Sequence, residues 1–114
     1  MPRPCNEVQR FFRDVPPGTL VEVSIDGPDG SCTLVWSLIA PGPDQTGTII
    51  CPDAAQAGPL SLPNATYVVV YDMDFHADAI VTIGLRVGSR SPVKCTVAGQ
   101  QGDRFKWLWP ILTD

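Results

Sequence analysis

The sequence predicts an all-β domain: an antiparallel β-sandwich, jelly-roll or Ig-like, of about eight strands. Three observations carry this expectation. Twelve Val, seven Ile and eight Thr stand in a chain of 114 residues, and β-branched side chains pack well on a pleated surface. Ten Gly and twelve Pro fall mostly between apolar stretches, where turns require them. The apolar stretches are short, many alternate with period two, and they recur about every ten residues, as in sandwiches and barrels.

Composition also excludes several classes. Ten Asp face only two Glu and two Lys, whereas a helical bundle is rich in Glu, Lys and Leu. The net charge of -4 argues against nucleic acid as a partner. No apolar run approaches the roughly 18 residues of a membrane span. The 44% hydrophobic content is that of a chain able to build a core. No linker, repeat or low-complexity segment divides residues 1–114, so a single domain is expected.

Along the chain, Val8, Phe11 and Phe12 have the i, i+3, i+4 spacing of a helix face, with Asn6 as cap and Gln9 at the third position. This predicts a short helix over residues 5–14, stopped by Pro16-Pro17-Gly18. Residues 19–26 alternate, with Val21, Val23 and Ile25 on one face and Glu22, Ser24 and Asp26 on the other. Residues 33–39 are apolar on both faces, Leu34, Trp36 and Leu38 against Val35 and Ile39, which predicts a strand covered on both sides. Residues 47–51 return after a Pro-Gly turn, and an edge strand is expected at 58–62. Residues 67–71 read as a central strand and 72–78 as an acidic loop. Residues 79–87 alternate strictly, 93–97 make the next strand, and Phe105, Trp107 and Trp109 share one face of the last. Leu108 interrupts that strand's polar face, so contact on both sides, with a neighbouring subunit of a homo-oligomer for instance, is expected.

The four cysteines contain no CxxC, which argues against a zinc knuckle or a thioredoxin-like site. Cys32 and Cys51 flank two apolar runs joined by Ala40-Pro41-Gly42-Pro43-Asp44, so a hairpin would set them opposite one another. This predicts Cys32–Cys51 and, by elimination, Cys5–Cys95 disulfides. Four free thiols in a reducing compartment are the competing reading. Disulfides place the protein outside the cell or on a virion surface, yet no apolar stretch of a signal peptide follows Met1. Asn64-Ala65-Thr66 is an N-glycosylation sequon beside the turn residue Pro63.

Asp72, Asp74 and Asp78 lie within seven residues around the single histidine, His76. With Asp26 and Asp29 from another turn, they are candidate oxygen ligands for Ca²⁺, although the EF-hand spacing is absent. The alternative is turn chemistry, with each Asp bonding its own backbone. Phe105, Trp107 and Trp109 are a candidate platform for a glycan or an anchor for a protein partner; the alternative is that they close the core. There is no GxSxG elbow, no cysteine–histidine motif and no phosphate loop, so no catalytic residue and no cofactor other than Ca²⁺ is expected.

Val15-Pro-Pro-Gly-Thr-Leu-Val-Glu-Val-Ser-Ile-Asp-Gly27, followed by Asn64-Ala-Thr-Tyr-Val-Val-Val-Tyr71, resembles the pattern of pre-peptidase C-terminal domains. The resemblance covers residues 15–87. It implies a small secreted β-sandwich that accompanies hydrolases without being catalytic. The four cysteines, Asn-Ala in place of Gly before Thr66, and the Trp-rich last strand depart from that pattern. Together these readings lead to a non-catalytic, extracellular or surface-displayed module that binds a protein or a glycan. The alternatives are a viral or surface-layer protein assembling through its sheet edges, a Ca²⁺-stabilised carbohydrate-binding domain, and a small enzyme.

Overall fold

A computed structural model describes residues 12–114. They form nine strands: β1 Phe12–Val15, β2 Thr19–Asp26, β3 Cys32–Ile39, β4 Gln45–Ile50, β5 Asp53–Leu60, β6 Thr66–Phe75, β7 Ala79–Val87, β8 Val93–Gly99 and β9 Arg104–Thr113. No helix occurs among the described residues. One sheet has the order β1-β9-β6-β3-β4 and the other β5-β2-β7-β8. Every pairing is antiparallel except that of β1 with β9. The chain repeatedly crosses between sheets, and only β3–β4 and β7–β8 are sequence neighbours that pair.

The core lies between the sheets and follows the period-two pattern. Val21, Val23 and Ile25 of β2 and Val81, Ile83, Leu85 and Val87 of β7 meet Leu34, Trp36 and Leu38 of β3 and Tyr67, Val69, Tyr71, Met73 and Phe75 of β6. All are at most 7% exposed. Tyr71, buried at the centre, donates its hydroxyl hydrogen across the sandwich to the Gly84 carbonyl. Gly47 of β4 lies against the Trp36 ring, and a Cβ there would stand 2.6 Å from it. Glycine is thus required where the edge strand passes over a buried indole.

Three sequence expectations change. The helix over residues 5–14 fails at its end, since residues 12–14 belong to β1; the remainder lies outside the described residues. Phe12 and Val15 are both buried, although three residues apart, because the register with β9 shifts between them and Asp14 takes a φ of 56°. The spacing that predicted the helix involves Val8 and Phe11, which lie outside the described residues. The edge strand expected at 58–62 runs instead over Asp53–Leu60. Its Ala, Gln and Gly residues carry little strand propensity, and pairing with β2 holds it in place.

The acidic stretch at 72–78 is the third. β6 continues through Phe75, leaving only residues 76–78 as a turn. Asp72 and Asp74 alternate with buried Met73 and Phe75, and partners on both sides keep them in the sheet. A period-two signal was present there, and the clustering of acids concealed it.

Tyr71→Phe should destabilise the domain by roughly 1 kcal/mol, the usual net contribution of one buried hydrogen bond. Chemical denaturation of the two proteins measures the difference.

Candidate interaction face

Both sheets turn one face outward, and the two faces differ. On the four-stranded sheet Glu22, Ser24, Gln56, Thr82, Arg86, Lys94 and Thr96 point outward, Arg86 pairs with Glu22 at 3.3 Å, and two single apolar residues, Leu20 and Ile80, are exposed at opposite ends. A shallow open depression of about 410 Å³ lies there among Glu22, Ser24, Asp26, Asp53, Arg86 and Lys94.

On the five-stranded sheet the outward residues form ordered rows, set by the register of β3, β6 and β9. One row runs Thr33, Asp74, Arg104 and the next Val35, Asp72, Lys106. Then come Ser37, Val70, Leu108, and finally Ile39, Val68, Pro110. Leu112 stands opposite Thr66 beyond them. On β6 and β9 one end of the face is therefore charged and the other apolar, while at the charged end β3 and β4 contribute Val35 and the exposed Ile50. Val35, Ile39 and Leu108 are 40%, 43% and 49% exposed, with Val68, Val70, Pro110 and Leu112 half-buried between them. Three strands at ~4.8 Å spacing by three rows of outward residues make a patch of roughly 300 Å². Single exposed apolar residues are ordinary on a protein surface, whereas these are contiguous, and a patch of this size is comparable with the largest on a typical monomer.

The sequence already pointed to Val35, Ile39 and Leu108 as apolar residues on the second face of their strands. It could not show that they share one surface. That follows from β6 lying between β3 and β9 and contributing Val68 and Val70.

The other candidate residues are placed as follows. Trp107 and Trp109 are buried at 8% and 2% exposure, and Phe105 packs against the core. Trp109 meets Tyr71 at 5.8 Å between ring centroids, and Phe105 meets Phe75 edge-on at 5.7 Å. The three rings close the core and present no stacking platform, because their positions alternate with the outward Arg104, Lys106 and Leu108.

The candidate Ca²⁺ ligands are dispersed. Asp72 pairs with Arg104 at 3.5 Å on the outer face of β6. Asp78 accepts the Gln101 amide hydrogen at 2.9 Å, and Asp26 and Asp29 belong to the end of β2 and the turn after it. Among the described residues no three acidic, Cys or His side chains converge to hold a metal. The expected cluster does not form, because strand alternation and hydrogen bonding already use its members. Nε2 of His76 is hydrogen-bonded to the Thr33 hydroxyl. Asn64 is exposed in the turn before β6, with a φ of 50°.

Cys32 and Cys51 do stand opposite one another at the end of the β3–β4 hairpin, and the Cys51 amide donates to the Cys32 carbonyl at 3.0 Å. The expected disulfide is nevertheless absent, and both are buried free thiols. The Cys51 thiol turns toward the β2–β3 turn, 2.9 Å from the Pro28 carbonyl and 3.1 Å from the Ser31 hydroxyl. Cys95 is half-buried on β8; the Cys5–Cys95 expectation depends on Cys5, which lies outside the described residues. Burial, reinforced by the neighbouring Cys51, pushes the Cys32 thiol up to about 11.

No protein-family model, curated protein or solved structure matches this chain.

Two outcomes follow. Millimolar Ca²⁺ should leave the melting temperature unchanged, since an ion that binds only the folded state raises it. Because the Cys32 thiol is raised in the folded state, the unfolded chain loses that proton first. Stability should therefore fall as pH rises from about 8.5 toward 11, at up to ~1.4 kcal/mol per pH unit. Burial raises the Tyr71 phenol in the same direction, with an onset nearer pH 10. Urea midpoints of wild type and Cys32→Ala, measured between pH 8 and pH 10, should converge as the pH rises.

Proposed function

We propose that this chain is a non-catalytic interaction module that docks on a protein through the outer face of its five-stranded sheet. The carrying observation is the contiguous apolar patch of Val35, Ile39, Val68, Val70, Leu108, Pro110 and Leu112, bordered by Asp72, Asp74, Arg104 and Lys106. An apolar centre with a polar rim is the anatomy of a protein contact. A protein is favoured over a glycan because the patch is aliphatic, whereas sugar stacking uses exposed aromatic rings. The face is also favoured over the sheet edges. Edge strand β4 is tied to β5 across the sandwich, with the Gln45 side chain both donating to the Gly58 carbonyl and accepting from the Gly58 amide at 3.1 and 3.0 Å. An extracellular or surface-displayed setting belongs to the same proposal, supported by the exposed Asn64 sequon.

A photo-cross-linking residue placed at Ser37 should form a discrete protein adduct in the source cells. The same residue at Thr96, on the outer face of the other sheet, should not. Leu108→Glu should abolish the Ser37 adduct without lowering the melting temperature appreciably, because Leu108 is half exposed. Equal labelling from both sheets, or none from Ser37, removes the face as the docking surface.

A further inference from the structure

The outer face of the five-stranded sheet is complementary to itself, and we infer that its partner is a second copy of this chain, related by a two-fold axis parallel to the strands and running between β6 and β9. The inference rests on the docking face proposed above and names its occupant.

The argument comes from the register. Outward along β6 the chain presents Thr66, Val68, Val70, Asp72 and Asp74. At the same heights β9 presents Leu112, Pro110, Leu108, Lys106 and Arg104. The two neighbouring columns are thus alike at the apolar end and opposite in sign at the charged end. A two-fold axis along the strands preserves height and lays β6 of one protomer over β9 of the other. Asp72 then faces the partner's Lys106, Asp74 faces the partner's Arg104, and Val70 faces the partner's Leu108. Each contact occurs twice, as an isologous interface demands.

Other two-fold arrangements of this face fail on charge. An axis running along β6 would set Asp72 and Asp74 over their own copies. An axis perpendicular to the strands either does the same or sets the charged end over the apolar end. Like charges brought together and charges buried against aliphatic surface are both costly.

The internal ion pair does not compete strongly. Asp72 and Arg104 stand 3.5 Å apart with much of both side chains in water, and pairs of that kind contribute little. The overlap is modest: β6 and β9 cover one another along roughly 30 Å and β3 meets the four-residue β1 along roughly 13 Å, at ~4.8 Å spacing, giving on the order of 800 Å² over both protomers, the range of a weak, reversible dimer. Two sheets meeting this way pack ≈10 Å apart like those of a sandwich, with their strands aligned at the axis.

The test is a charge exchange read by light scattering and analytical ultracentrifugation, with circular dichroism and melting curves confirming that each variant is folded. Wild type is expected to form a dimer at about 100 μM. Leu108→Glu, Asp72→Lys and Lys106→Asp should each weaken it by about tenfold or more. Asp72→Lys gives each protomer two bases in that row, and Lys106→Asp gives it two acids. Mixing the two single variants should therefore restore a dimer containing one chain of each kind. The double variant Asp72→Lys/Lys106→Asp should dimerise alone. A monomeric wild type overturns the inference, and an adduct from Ser37 to a different protein would then leave the docking face standing. A dimer indifferent to all three substitutions, or single variants that fail to rescue one another while folded, also overturns it.

Discussion

The registered pairing of β6 with β3 on one side and β9 on the other is the constraint on which the rest of the molecule depends. β6 is ten residues long and paired along nearly its whole length. Its inward residues, from Tyr67 to Phe75, supply the middle of the core, and the Tyr71 hydroxyl reaches the backbone of the opposite sheet. Its outward residues fix the rows of the exposed face. Because strand side chains alternate with period two, a slip of one residue would exchange the two sets. Burial of Tyr71, Met73 and Phe75 therefore also determines that Asp72 and Asp74 face water.

That coupling accounts for the contrast between the two outer faces. On the four-stranded sheet the outward positions are mostly polar, with Leu20 and Ile80 as separate apolar exceptions. On the five-stranded sheet a second apolar surface lies opposite the core-facing one. A domain of this size can bury its core without that surface, which is the ground for the docking role proposed above.

The buried polar groups are mostly placed in turns and between sheets. Ser31 and Cys51 gather on the Pro28 carbonyl, and Arg90 holds the β7–β8 turn to β1 through the carbonyls of Arg13 and Asp14 at 2.7 and 2.9 Å. Nε1 of Trp36 and of Trp109 are buried without a hydrogen-bond partner among the described residues. A buried unpaired donor costs roughly 1–3 kcal/mol, offset by the large apolar area that an indole buries.

From the sequence by itself, the all-β class, the strands at 19–26, 33–39 and 79–87 and the inward sets of Val, Ile and Leu could be read. Alternation is a local property, and burial of one face enforces it directly. Residues 33–39 are apolar on both faces, which predicts cover on both sides, but among the described residues no second layer lies over that sheet and Val35 and Ile39 are exposed. What lay beyond local pattern was decided by tertiary structure. The edge strand β5 has little propensity and exists through pairing with β2. Residues 12–14 end a stretch with helical spacing, yet pairing with β9 places them in a strand. Asp72 to Asp78 read as a loop because acids usually gather in turns, but partners on both sides extended the strand. Cys32 and Cys51 face one another as the turn implied, yet the direction of a thiol depends on its neighbours, here Pro28 and Ser31. The complementary columns of β6 and β9 likewise belong to no single segment, because they arise only when residues about forty apart in the chain are brought into register.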